Sequence, residues 1–130
     1  MNREILFRAK STYDGEWIYG SYIKDCSRDN KYRHRIQPLD GQMFAAPVDL
    51  DTICQYTGET DKNGKKIFEG DILEAHLDEF FPEVVTRVCV TFENMKWCLV
   101  QKRMIPDPFE TGDGKTWEVI GNIYDTPGSD

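Results

Sequence analysis

From Val84 to Phe92 the chain alternates: Val84, Val88, Val90 and Phe92 fall on one side, Arg87, Cys89 and Thr91 on the other, and Thr86 alone breaks the pattern. A period of two marks a half-buried strand, because successive side chains on a strand point to opposite faces. Glu93 to Lys96 turns the chain, and Trp97-Cys98-Leu99-Val100 returns with Trp97 and Leu99 placed to join the same apolar face. The pattern predicts a hairpin there. A looser alternation runs through residues 4–9, with Ile5 and Phe7 on one side and Arg8 on the other, and Trp17 to Ile23 is rich in strand formers. Asp14-Gly15 lies between these runs and suits a hairpin turn, which needs positive φ, so a second, N-terminal hairpin is predicted.

Elsewhere the pattern is carried by turns and breakers. Residues 24–43 are polar and read as an irregular connection, followed by a short extended piece, Met43 to Val48, that Pro47 confines to an edge or a strand end. Ile72 to Leu77 reads as one strand, and Asp78-Glu79-Phe80-Phe81-Pro82-Glu83 as an acidic tip holding two aromatic rings. Met104 to Lys115 contains Pro106, Pro108, Gly112 and Gly114 and reads as a long surface loop. Trp117 to Ile123 is the final strand, expected to close a sheet or barrel. Nowhere does a 3.6-residue period persist, so the expectation is a mainly β protein of antiparallel sheets with little helix.

The densest local information lies in Gln55 to Leu73. Asn63-Gly64 is the dipeptide best suited to a type I′ turn, which predicts strands at about 55–60 and 65–68. Glu69-Gly70-Asp71 then reads as a tight turn feeding the strand that starts at Ile72. This segment, Gln-Tyr-Thr-Gly-Glu-Thr-Asp-Lys-Asn-Gly-Lys-Lys-Ile-Phe-Glu-Gly-Asp-Ile-Leu, resembles a mid-chain signature of the YopX family of small phage and prophage proteins. The opening Arg3-Glu4-Ile5-Leu6-Phe7-Arg8-Ala9 and the closing Glu118 to Pro127 are similar to that family's ends. Three separated matches in order are more specific than any one. The resemblance implies a largely β fold with an SH3-like barrel in the C-terminal part, and a bacteriophage or prophage origin. It divides the chain into an N-terminal β segment with a basic loop (residues 1–52) and a C-terminal SH3-like barrel region (53–130). It brings no established activity and no catalytic residues. Residues 74–112 carry no family pattern, which makes them the expected place for a member-specific role.

Charge narrows the partners. Sixteen Lys and Arg against twenty-three Asp and Glu give a net charge of −7, unfavourable for nucleic acid as a partner of the whole surface. Between Lys24 and Arg35, however, the basic side chains Lys24, Arg28, Lys31, Arg33 and Arg35 outnumber Asp25 and Asp29, with Tyr32 and His34 interleaved. Such a stretch can be a solvated loop, a contact for phosphates and a stacked base, or a contact for the acidic face of a neighbouring subunit. The 130 residues can bury a core without staples. Cys26, Cys54, Cys89 and Cys98 form no C-x-x-C pair and fit no common zinc spacing; Cys89 and Cys98 could face each other across a hairpin, but reduced thiols are expected. No leader-like or membrane-spanning apolar run occurs in the sequence, which points to a soluble protein in the bacterial cytoplasm and to no membrane partner.

Catalytic patterns are lacking. Asp49 with Asp51, or Asp78 with Glu79, could meet a divalent ion, yet no calcium-loop pattern surrounds them. His34 and His76 belong to no metalloprotease or Cys-His signature, and Ser11, Ser21, Ser27 and Ser129 to no nucleophile elbow. No glycine-rich phosphate loop is present. The reading is a non-enzymatic interaction protein with no cofactor and no metal. Its partner would be a host or phage protein, with Lys31, Tyr32, Arg33 and Arg35 of the basic loop and Phe80 and Phe81 of the tip as binding residues. Nucleic-acid binding and self-assembly into a structural homo-oligomer are the alternatives.

Overall fold

The computed structural model describes residues 4–25, 33–41, 44–101 and 106–125. Eleven strands, two 3-10 turns and no α-helix occur among them. The chain divides into two compact units, Met1–Tyr56 and Thr57–Asp130.

In the first unit β1 (Phe7–Lys10) and β2 (Trp17–Lys24) form the N-terminal hairpin, with Ala9 opposite Ile18 and Lys10 opposite Trp17. Its loop is four residues long, closed by the Ser11 N–H on the Glu16 carbonyl (2.9 Å) and the Gly15 N–H on the Ser11 carbonyl (3.0 Å). Gly15 takes φ +74°, which an L side chain rarely adopts. β2 then pairs along its length with β3 (His34–Pro38), from Gly20 opposite Pro38 to Lys24 opposite His34. This strand corrects the reading of residues 24–43 as irregular. Ile36 is its one strongly apolar residue, too little to give a period, but it is fully buried with Ala9 and Val48 in the unit's core. β4 (Ala46–Pro47) is a two-residue edge strand beside β3, as Pro47 suggested. A 3-10 turn, Leu50–Thr52, is capped by the Asp49 carboxylate, which accepts the Asp51 N–H at 3.0 Å.

The expected faces of the first strand need adjustment. Phe7 and Ala9 do point to the core, but Ile5 lies before the strand and is exposed. Arg8, expected on the polar side, is only 5% exposed. Its guanidinium carbon sits 4.7 Å from the Trp17 ring centroid, and the Lys10 ammonium 5.5 Å from the same ring, so one indole covers two cations.

β5 (Cys54–Thr60) begins in the first unit, where Cys54 and Gln55 pair with Arg8 and Phe7, and ends in the second, beside β6 (Lys66–Phe68). The β5–β6 hairpin is where Asn63-Gly64 placed it, but the turn is of another type. Among the described residues only Asn94 and Met95 are non-glycine residues at positive φ, so Asn63 does not adopt the type I′ conformation, while Gly64 does take φ +82°. The Gly64 N–H bonds the Asp61 carbonyl (3.0 Å), and the Asp61 N–H bonds the Lys65 carbonyl (2.8 Å). This is a three-residue loop with glycine in the left-handed position.

The remaining strands are β7 (Asp71–Ala75), β8 (Thr86–Glu93), β9 (Lys96–Val100), β10 (Asp107–Pro108) and β11 (Glu118–Asn122). They pair antiparallel in the order β10-β9-β8-β7-β11. β10 and β11 stand at opposite ends of this sheet, and the pairings among the described residues form no closed barrel. The β8–β9 hairpin is where it was predicted, and Phe92 opposite Trp97 and Val90 opposite Leu99 place the expected residues on one face. Val84 and Phe92 of the predicted apolar face are exposed, however, since Val84 precedes the strand and Phe92 lies near its end. The core of this unit gathers Ile67, Leu73, Val88, Val90, Leu99 and Trp117, together with Phe109. Phe109 corrects the reading of residues 104–115 as surface loop: β10 lies against β9, and the Phe109 N–H bonds the Trp97 carbonyl (2.9 Å), which turns the ring inward.

Candidate functional site

The β7–β8 connection, residues 76–85, is an ordered loop with an apolar surface. One Asp78 carboxylate oxygen accepts the N–H groups of Phe80 (2.8 Å) and Phe81 (3.1 Å), the local turn that aspartate favours. The Val84 N–H bonds the Phe81 carbonyl (2.9 Å), and the His76 Nδ1 lies 2.7 Å from the Pro82 carbonyl and donates to it. These bonds fix the turn at Asp78–Val84, while the loop's apolar side chains stay outside. Phe80 is 87% and Phe81 57% exposed, and Leu77, Val84 and Val85 are exposed as well. Asp78, Glu79 and Glu83 give the loop an acidic rim, while at its base Arg87 is paired with Glu74 at 3.0 Å.

The basic stretch is divided by the structure. Lys31 and Tyr32 lie outside the described residues. Arg35 is a strand residue of β3, not a loop residue. Its Nε lies 3.2 Å from the Asp25 carboxylate and its guanidinium donates to the Ala45 carbonyl (3.2 Å), so much of its charge is answered within the unit. Arg33 lines a cleft of about 800 Å³ with Lys10, Ser11, His34, Val48 and Asp49. The His34 ring is held there by Tyr22, whose hydroxyl is 2.6 Å from Nδ1 and whose ring is stacked on it at 5.9 Å and 9°. A second cleft in the same unit, about 440 Å³, has the opposite lining, with Asp14, Glu16 and Asp40 beside Trp17, Tyr19 and Leu39. Neither cleft could be read from the sequence, because the first gathers residues from three separate segments and the second from two.

The signature segment builds scaffold. Asp61, almost wholly buried, receives the N–H groups of Asn63 (2.8 Å) and Lys65 (2.9 Å) on one oxygen and that of Val119 (2.9 Å) on the other. Burial works against its charge, but the bonds from Val119, Lys65 and Asn63, with the charge of Lys65, hold its pKa below the ordinary 3.8. Asp71, also buried, accepts the Phe68 N–H at 2.7 Å and closes the turn containing Gly70, as the sequence predicted for that turn. The Thr57 hydroxyl donates to the Ile67 carbonyl (2.8 Å). These three side chains thus bond backbone within the second unit.

Among the described residues no group of three or more His, Cys, Asp or Glu is arranged to hold a metal ion. Cys54, Cys89 and Cys98 are free thiols; Cys89 faces Val100 and Cys98 faces Thr91 across the β8–β9 ladder, so the two cysteines are diagonal neighbours. Cys26 lies outside the described residues. No described helix is long and apolar enough to cross a membrane.

A family model described as YopX protein matches residues 6–129, nearly the whole chain. No curated protein matches it.

Proposed function

Since the chain belongs to the YopX protein family, we propose that it is a non-enzymatic phage or prophage accessory protein, acting in the host cytoplasm by binding another protein of host or phage through its β7–β8 loop. One observation carries this reading: two phenylalanines stand exposed on a loop whose turn is fixed by the Asp78 carboxylate on their own N–H groups. Exposed aromatic rings cost solubility, and a fixed loop loses little freedom on docking, which is the economy of an interface anchor. The acidic rim favours a partner face bearing Lys or Arg around an apolar socket.

The strand order supports an SH3-like reading of the second unit. β7 to β10 form a meander, and β11 returns beside β7 after a 3-10 turn at Asp113–Thr116, as in a small five-stranded barrel left partly open. In that reading the β7–β8 loop is a long excursion between the first two strands.

The test is capture of partners from host lysate, treated with nuclease, by the tagged protein and by a Phe80→Ser/Phe81→Ser double variant. A stoichiometric protein retained by the parent and lost by the folded variant supports the proposal. Equal retention by both sinks it, and recovery of nucleic acid or of the protein alone favours the nucleic-acid binder or the self-assembling oligomer.

A further inference from the structure

We propose that the Asn63–Gly64 bond is a site of spontaneous main-chain modification, converting Asn63 to aspartate and isoaspartate, and that Asp61 holds the reaction in check for as long as the β5–β6 turn is closed. The reaction needs no partner. The Gly64 backbone nitrogen attacks the Asn63 side-chain carbonyl carbon, the bond from that carbon to the amide nitrogen breaks, and ammonia leaves with the Gly64 proton. Water then opens the resulting succinimide ring, at the side-chain carbonyl to give aspartate or at the main-chain carbonyl to give isoaspartate. Ring closure is limited by access to the following nitrogen, which a residue without a Cβ obstructs least. Asn2, Asn30, Asn94 and Asn122 are followed by Arg3, Lys31, Met95 and Ile123; Asn63 alone of the five asparagines precedes glycine. Both residues of the pair are exposed, and beyond the immediate chain neighbours nothing comes within 4 Å of the place a Gly64 Cβ would take.

The turn withholds the nucleophile. Three consecutive amides are held by one residue: the Asp61 carboxylate takes the N–H groups of Asn63 (2.8 Å) and Lys65 (2.9 Å), and the Asp61 carbonyl takes that of Gly64 (3.0 Å). The Gly64 proton that has to leave is thus the one bonded to Asp61, and any backbone rotation between Asn63 and Gly64 pulls against the bonds on either side. Asp61 is itself anchored, since it is buried and its other carboxylate oxygen accepts the Val119 N–H. The Asn63 side-chain amide reaches a Glu118 carboxylate oxygen at 3.5 Å, a weak further restraint. Modification therefore follows opening of the turn, a local event that costs less than global unfolding. Its product does not refit. Isoaspartate lengthens the main chain inside a three-residue loop, and either product sets a carboxylate against Glu118 where an amide had donated to it.

The full chain is incubated at mildly alkaline pH in a urea series, and conversion at each asparagine is followed by peptide mass spectrometry, with enzymatic methylation of isoaspartate as a second readout. Asn63 is expected to convert at least about tenfold more slowly in the folded chain than in the unfolded one, which corresponds to about 1.4 kcal/mol for opening the turn. The other asparagines should stay largely intact over the same time. Asp61→Asn, compared under conditions where circular dichroism shows it folded, should convert at Asn63 faster than the folded parent, because the group that holds two of the three amides has lost its charge. Equal rates in the folded and unfolded parent, or a folded Asp61→Asn chain no faster than the parent, overturn the check by Asp61. Conversion at Asn63 in urea no faster than at the other asparagines overturns the site itself.

Discussion

The Asp61 carboxylate accepts the backbone N–H of Val119 at 2.9 Å, joining the β5–β6 turn to the last strand across 58 positions of sequence. Its other oxygen closes the turn itself, so one side chain serves both a local and a long-range purpose. Asp61→Asn removes the charge and one acceptor. It should cost about 2 kcal/mol in chemical denaturation, the scale of charge-assisted bonds to buried groups. The folded-state pKa is lowered, so this stabilisation is present above the ordinary value of 3.8 and is lost as pH falls through the folded value. The parent should therefore lose stability below about pH 4 more steeply than the variant. Parallel curves for the two proteins would show that Asp61 is not the group responsible.

Met95 offers a change in the other direction. With Asn94 it forms the two-residue turn between Glu93 and Lys96, both at positive φ (+53° and +64°), the conformation the sequence had suggested for Asn63-Gly64. Met95 is 91% exposed and has little packing to lose. Met95→Gly should raise stability by about 0.5–1 kcal/mol, since relief of the left-handed strain exceeds the extra freedom of glycine in the unfolded chain. A lower melting temperature would mean that the methionine contacts something the turn geometry does not reveal.

Gly20 should tolerate no side chain. It sits within β2 opposite Pro38, and a Cβ built on it would lie 1.8 Å from the Gln37 carbonyl oxygen, a backbone atom that cannot rotate away. Gly20→Ala is expected to cost about 3 kcal/mol by forcing β2 and β3 apart. A neutral result would indicate that the two strands separate easily.

Two phenylalanines separate core from surface. Phe109→Ala removes a ring from the second unit's core and should cost about 4 kcal/mol. Phe80→Ala, at an exposed loop position, should stay within about 0.5 kcal/mol of the parent. If Phe80→Ala proved as damaging as Phe109→Ala, the loop tip would be part of the core and not a docking surface.

What could be read in advance follows how local the cause was. The β8–β9 hairpin was legible because its alternation and its turn both lie within Thr86–Val100, and the N-terminal hairpin because Asp14-Gly15 sits between two apolar runs. β3 was not legible: only Ile36 among His34 to Pro38 is strongly apolar, and the strand exists through pairing with β2 on one side and β4 on the other. The β5–β6 turn was located but mistyped, because Asp61 takes up the N–H groups of Asn63 and Lys65 with its side chain. Arg8 looked like a surface residue until Trp17, opposite Lys10, covered it. At the candidate surfaces, Phe80 and Phe81 were legible because aspartate and proline in a short acidic stretch keep the rings out of a strand. The cleft around Arg33 was not, since it exists only once β1, β3 and the Asp49 cap are brought together.

The start of β11 is covered on its outer side by a loop. Away from β7, the Trp117 carbonyl receives the Lys62 N–H (2.9 Å) and the Val119 N–H meets the Asp61 carboxylate. A strand with its outward donors and acceptors open is a template on which a strand of another molecule can add, and repeated addition leads to aggregates. A side-chain oxygen and one backbone amide thus act as a two-bond substitute for a neighbouring strand, ending the sheet without lengthening it. The turn that binds Val119 therefore does more than stabilise one molecule: it also blunts one edge of the sheet against joining edge to edge with another molecule.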